Sequence, residues 1–185
     1  IKRQPIPIEI IRKIQKECAL INDPNRWLIA LISDTGMRLS EALGLKVRDI
    51  KLNGEITYLD IKPNSARKLK TKSSQRQIPL IGSSLWAAKQ IYSNVKGEFA
   101  FPHYTIKNYC HTNSASAALN KWLKIRTPKN YVIHSFRHSF RDRLRSVNCP
   151  SEIIDQIGGW SNLSVGTRYG SGYTLKNLLE VMRKI

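Results

Sequence analysis

Apolar positions recur with helical spacing along most of the chain. Ile10, Ile11, Ile14, Cys18 and Ile21 share one face, and Pro5 and Pro7 stand before the first turn, so a helix opens the sequence. A second helix is predicted over 26–35. Trp27, Leu28, Ala30, Leu31 and Ile32 make it apolar on several sides, which predicts burial, and Gly36 reads as its stop. A short helix follows over 40–45. The period then changes: "ITYLDIK" at 56–62 and "RQIPLI" at 76–81 are rich in β-branched residues and read as two strands joined by a polar, lysine-rich loop. Helical spacing returns at 83–95 and at 113–125, where Ala118, Leu119, Trp122 and Leu123 form a stripe. Two further helices are predicted at 134–147 and 151–157, the latter with Ser151 as its N-cap. In the tail, Leu175, Leu178, Leu179, Met182 and Ile185 share one face behind a capping Thr174. That stripe suits packing on the chain's own core or docking onto a neighbouring copy. The expected fold class is mainly α with a small antiparallel β-sheet (α+β), as a single domain over 1–185 with a tail helix over 174–185.

Composition sharpens this picture. A chain of 185 residues can bury a core, and 41% hydrophobic with 8% aromatic residues argues against disorder. Charge is lopsided: 31 Lys and Arg against 13 Asp and Glu leave a net +18. Such an excess points to a polyanion, nucleic acid first and acidic lipid second. Cys18, Cys110 and Cys149 are odd in number and lack C-x-x-C spacing, which speaks against a disulfide framework or a zinc site and fits a reducing cytoplasm. No apolar run approaches the length of a membrane span. A first residue Ile1 rather than Met leads us to expect an excised domain.

The most informative helix is "HSFRHSFRDRLRSV". His134, Arg137, His138, Arg141 and Arg145 fall within an arc of roughly 100°, and Phe136, Phe140, Leu144 and Val147 lie opposite. The plain reading is a solvated basic face, although two histidines at its start cost helix propensity and weaken that reading. In "TGMRLSEALGL", Arg38 follows a helix stop, with Glu41 as an i,i+3 partner. "GGWSNLSVGTRYGSGY" at 158–173 holds five glycines and two tyrosines, the composition of a segment built to bend. Taken singly, Tyr169 reads as a core or surface tyrosine, Trp160 as core, and Lys70 and Lys72 as DNA-backbone contacts or solvated charges. From the residues alone the chain is a basic helical domain that handles phosphate.

In this order and at these separations, "TGMRLSEALGL", "KTKSSQRQIPL", "HSFRH" and "GGWS…GTRYGSGY" resemble the catalytic domain of tyrosine site-specific recombinases, the phage integrase family, over essentially the whole chain. The resemblance implies that Arg38 is the first catalytic arginine and that His134 and Arg137 form the family's H-x-x-R motif, followed by His138. Trp160 stands where most members have histidine, and Tyr169, nine residues later, matches the nucleophile. Extra residues around "PNSARK" lengthen the hairpin, so Lys70 is the first choice for its catalytic lysine, Lys72 the second and Lys68 the third.

The implied reaction is transesterification at a DNA phosphodiester through a 3′-phosphotyrosyl intermediate, with no metal or cofactor. A phenol with pKa near 10 needs a base, for which His134 is placed; Arg38 and Arg137 would hold non-bridging oxygens, and a lysine would protonate the leaving oxygen. Glu41 and His138 support these groups, Trp160 donates one hydrogen bond and packs the site, and Arg141, Arg145, Lys72 and Arg168 contact DNA. Implied partners are double-stranded DNA attachment sites, other protomers of a synaptic tetramer, and accessory DNA-bending or directionality factors, with no membrane. An N-terminal core-binding domain would lie outside this sequence, and the place of action would be the bacterial cytoplasm and nucleoid. The glycines would let the tyrosine segment swing, leaving Tyr173 as a packing residue. The competing readings are a type IB topoisomerase or telomere resolvase, a DNA-binding module without catalysis, and an RNase-like enzyme, which leaves the tyrosine spacing unexplained.

Overall fold

Helices α1 (Ile8–Ile21) and α2 (Pro24–Ser33) form the first pair in a computed structural model that describes residues 4–129, 131–160 and 171–185. Asn22 ends α1 in the left-handed region, and Asp23 caps α2 by accepting from the Arg26 N–H at 2.9 Å, with Pro24 as the first helical residue. Every residue from Trp27 to Ser33 is buried, so α2 is the central helix that its all-round apolar pattern predicts. It packs against α1, α4 (Gly82–Asn94) and α6 (Ser135–Ser146). Gly36 follows it with φ +62°, its N–H on the Ile32 carbonyl at 2.9 Å. A Cβ there would lie 2.4 Å from the Phe140 ring, so both the turn and the approach of α6 require glycine.

After α3 (Leu39–Leu43), three strands form an antiparallel sheet: β1 (Ile50–Lys51), β2 (Tyr58–Ile61) and β3 (Arg76–Pro79), with β2 central. The register pairs Leu59 with Ile78 and Ile61 with Arg76. A second sheet, β4 (Thr105–Ile106) with β5 (Tyr109–Cys110), adds to the single sheet expected. Its strands are too short to display alternation, and Lys107 and Asn108 make its turn at φ +49° and +61°. The remaining helices are α5 (Thr112–Lys124), α7 (Ser151–Gly158) and α8 (Leu175–Met182). No helix among the described residues is long and apolar enough to cross a membrane.

Asp34, at the end of α2, is buried and accepts from two elements. Its Oδ2 takes the Ser83 N–H at the start of α4 (2.9 Å), and its Oδ1 takes Arg143 Nη1 from α6 (2.9 Å). Arg143 also reaches the Ser33 carbonyl at 3.0 Å. The cationic side of α6 is thus only partly the solvated face that its charge suggests: Arg137 is buried, whereas His138 and Arg145 are exposed, and Arg143 is buried on the apolar side. Two local expectations are also corrected. Pro150 occupies the N-cap of α7, with its carbonyl taking the Ile154 N–H, and Ser151 is the first helical residue. Tyr173 is 37% exposed rather than packed: its hydroxyl donates to Glu152 at 3.1 Å, and the Gln156 amide clasps its backbone N–H and carbonyl at 2.9 Å each. Thr174 caps α8 as expected, accepting from the Asn177 N–H. The α8 stripe packs in cis beside β3, with Leu178 and Met182 buried.

Candidate active site

Arg38 stands directly before α3, where its N–H donates to Glu41 Oε2 (2.8 Å) and its Nη1 to Glu41 Oε1 (2.7 Å). Glu41 is only 3% exposed, and it also accepts from Arg76 Nη1 (3.2 Å) and Nη2 (3.0 Å). Arg76 sits on β3, facing inward with Ile78, and donates further to the Ile157 carbonyl of α7 and the Ser74 carbonyl, each at 2.7 Å. Arg38 Nη1 lies 3.2 Å from Ser74 Oγ. One buried carboxylate therefore joins α3, β3 and the end of the β2–β3 loop, and Arg76 extends the network to α7.

Arg137 comes to the same place from α6. Its Nη1 donates to the Gly36 carbonyl at 2.7 Å, two residues before Arg38, and its guanidinium lies 4.2 Å from the centre of the Trp160 ring. The same ring carries Arg141 at 4.8 Å, and Arg141 reaches Asp155 at 3.4 Å. Trp160 is fixed by its backbone N–H on the Asp155 carbonyl at 3.0 Å, just past Gly159 in the left-handed region. These stacked cations gain from the ring quadrupole of the indole.

Burial pushes Arg137 down to about 9, with Arg38, Arg76 and Arg141 adding to the fall and Glu41 opposing it. It stays cationic at neutral pH. For Glu41, burial acts upward, but Arg76 and Arg38 prevail and hold its carboxyl below the ordinary glutamate value. Three guanidinium groups against one carboxylate leave a net +2 in a largely dry setting. Arg137 Nη2 is buried with no hydrogen-bond partner among the described residues. A buried donor without an acceptor is costly, and an incoming anion removes that cost. Such an arrangement can take an anion without rearranging its donors first.

The structure thus brings together Arg38, Glu41, Arg137 and Trp160 as the sequence implied. His134 is half-buried immediately before α6, its ring edge-on to His138 at 5.4 Å. His138 and Arg145 are exposed, the latter near Asp142 at 3.5 Å. Lys68, Lys70 and Lys72 are also exposed, without an ion-pair partner among the described residues. Past the lysines, their loop meets the cluster at its far end through Ser74. Tyr169, Arg168 and the glycines Gly166 and Gly170 lie outside the described residues. Arg76 is the one member of the cluster that sequence reasoning missed. Strand parity carried the signal, since Arg76 shares its face with Ile78 and Leu80 and an inward arginine needs an acid.

The phage integrase family model matches residues 9–173. Among curated proteins, the transposase from transposon Tn916 of Enterococcus faecalis is 23% identical over 180 residues, covering 85% of this chain and 44% of the relative. A tyrosine recombinase XerC-like protein of Caldanaerobacter subterraneus is 25% identical over 186 residues, with 85% and 47% covered. The chain spans about half the length of these relatives. The fold matches the XerH site-specific recombinase bound to a palindromic difH substrate (TM-score 0.64, 22% identity, 86% of this chain and 47% of that one). It also matches the Tn1549 transposon integrase in complex with circular intermediate DNA (0.64, 19%, 96% and 64%). A lambda integrase tetramer bound to a Holliday junction shares the fold at a TM-score of 0.60 (13%, 91% and 48%).

Proposed function

The chain belongs to the phage integrase family, and on that premise we propose that it cuts and rejoins DNA strands in the site-specific recombination of a mobile element. The observation that carries this reading is the buried, partnerless Nη2 of Arg137 beside Arg38 and Arg76, around a single carboxylate. A phosphodiester brings one negative charge, and its pentacoordinate transition state gathers a second on the non-bridging oxygens. A receptor of net +2 favours that state over the ground state.

In the proposed reaction the Tyr169 hydroxyl attacks phosphorus. The Tyr169 O–P bond forms as the P–O5′ bond breaks, and the phenolic proton passes to His134. The departing 5′ oxygen takes a proton from the hairpin lysine, Lys70 ahead of Lys72. A 5′-hydroxyl from a second strand then reverses both steps. One phosphodiester is exchanged for another, so the chemistry needs no energy source. Arg38 and Arg137 orient the phosphate, Glu41 and Arg76 orient Arg38, and Trp160 supports Arg137. Arg141, Arg145, Lys72 and Arg168 are the proposed DNA contacts, with His138 supporting the site.

The names of the relatives support this assignment of substrate and partners: transposon transposases, recombinases solved on DNA, and a tetramer on a Holliday junction. Double-stranded DNA ends of the element, further protomers and accessory bending or directionality factors are the proposed partners, in the bacterial nucleoid. The test uses nicked suicide duplexes carrying those ends. The expected result is a covalent DNA adduct that maps to Tyr169, is absent in Tyr169→Phe, and is unchanged by a metal chelator. An adduct that persists in Tyr169→Phe or maps to Tyr173 refutes the nucleophile. Relaxation of any supercoiled plasmid regardless of the element's ends would make the chain a topoisomerase instead.

A further inference from the structure

The lengthened β2–β3 loop does more than carry lysines. Helix α3 has five residues, too few to hold itself in place, and beyond the Gly44 N–H on Ser40 and the Leu45 N–H on Ala42 the carbonyls at its end need donors from elsewhere. The start of the loop folds back on them. Asn64 and Arg67 pair through their backbones at 3.0 and 3.2 Å, closing a tight turn. From that turn Asn64 Nδ2 donates to the Gly44 carbonyl (2.8 Å) and Arg67 Nη1 donates to the Glu41 carbonyl (2.8 Å).

Arg67 is 3% exposed, and its remaining nitrogens hold the Lys62 carbonyl at 3.0 and 2.6 Å, with Asp49 at 3.7 Å. A Cβ on Gly44 would lie 2.4 Å from the Arg67 Cβ, so glycine is what lets the arginine stem pass over α3. Burying a guanidinium is expensive, and closing a loop does not require one. What the fork supplies is a rigid link to a particular carbonyl. That carbonyl belongs to Glu41, whose carboxylate orders Arg38 and Arg76.

We propose that Arg67 is a positioning residue of the phosphate site, holding the backbone of Glu41 so that its carboxylate meets Arg38 and Arg76 in one geometry. The inference rests on the recombinase reading above. The same turn is pinned to the β4–β5 hairpin, by Ser65 Oγ on Asn108 Oδ1 (2.9 Å) and Cys110 Sγ on the Ala66 carbonyl (3.3 Å). Residues 68–73, which include all three candidate lysines, therefore leave a fixed post at Arg67 and return to another at Ser74. Both posts are bonded to the arginine cluster or its carboxylate residue.

The test compares Arg67→Gln, Arg67→Lys and Gly44→Ala with Asn64→Ala, which loosens the same turn without touching the Glu41 carbonyl. Single-turnover cleavage, DNA Kd and melting temperature are measured, together with the rise in melting temperature caused by inorganic sulfate. Arg67→Gln and Gly44→Ala are expected to cut roughly 10- to 100-fold more slowly with unchanged Kd, at a temperature where both are folded. Arg67→Lys should recover part of the rate, and Asn64→Ala should melt lower yet cut at the wild-type rate. A wild-type rate in Arg67→Gln overturns the proposal, and so does equal slowing in Asn64→Ala. If the wild-type chain forms no adduct, the recombinase reading fails on its own. Arg67 is then judged by the sulfate-induced rise, which must shrink in Arg67→Gln and persist in Asn64→Ala.

Discussion

Replacing Glu41 by glutamine tests the centre of the site. The two side chains have the same shape, so packing is preserved and only charge and one acceptor change. Glu41 accepts four hydrogen bonds, from Arg38 N–H and Nη1 and from Arg76 Nη1 and Nη2, at 2.7–3.2 Å. In Glu41→Gln an NH2 group must face at least one of these donors, and Arg38, Arg76 and Arg137 are left without a counter-charge. Breaking a buried pair by removing one partner costs about 3–5 kcal/mol. For a chain of this size that lowers Tm by about 6–20 °C. The pH dependence adds a second signature. The folded-state value of Glu41 lies below its unfolded value. Its contribution is therefore complete above the ordinary glutamate range and is lost as pH falls through the folded value. Urea denaturation of both proteins from neutral pH downward should show a gap that narrows on the acid side. A variant within about 1 kcal/mol of wild type at neutral pH, or a gap that does not change with pH, would refute the reasoning.

Three further outcomes are expected. Arg137→Lys keeps the charge but cannot both hold the Gly36 carbonyl and offer a second donor in plane, so single-turnover cleavage should fall about 100- to 1000-fold while DNA binding survives; parallel loss of both would favour a binding role. Trp160→Phe keeps a ring under Arg137 and Arg141 and should cut within about tenfold of wild type, whereas Trp160→Ala loses about 1–2 kcal/mol of cation–ring stacking and should melt lower. DNA affinity, measured by fluorescence anisotropy, should fall linearly on a log–log plot against salt, given the net charge of +18; a flat response would contradict phosphate binding.

Much of this was legible in the chain before the structure. Helices of ten residues or more announce themselves by period, and α2 showed its central position by having no polar face. The two-residue strands did not, because alternation needs length, and the positive φ of Lys107 and Asn108 that turns them is visible only in the structure. Arg38 with Glu41 is a local pair and was readable at i,i+3. Arg137 was identified by motif but misplaced by physics. A cation on a helix reads as solvated, and nothing within the helix reveals that its partners are a glycine carbonyl 101 positions earlier and a tryptophan ring on another element. Arg67 was hidden for the same reason, since the acceptors it serves are backbone carbonyls, which any sequence supplies. Burial of charge against main chain is decided by tertiary geometry and leaves no compositional mark.

Asp34 gives the receptor a mechanical character. By taking the first turn of α4 and Arg143 of α6 on one buried carboxylate, it locks the helix that carries Arg137 to the middle of the protein. On the proposed function, a DNA strand pulling on Arg137 would pull through α6 on this lock, and the core would share the strain.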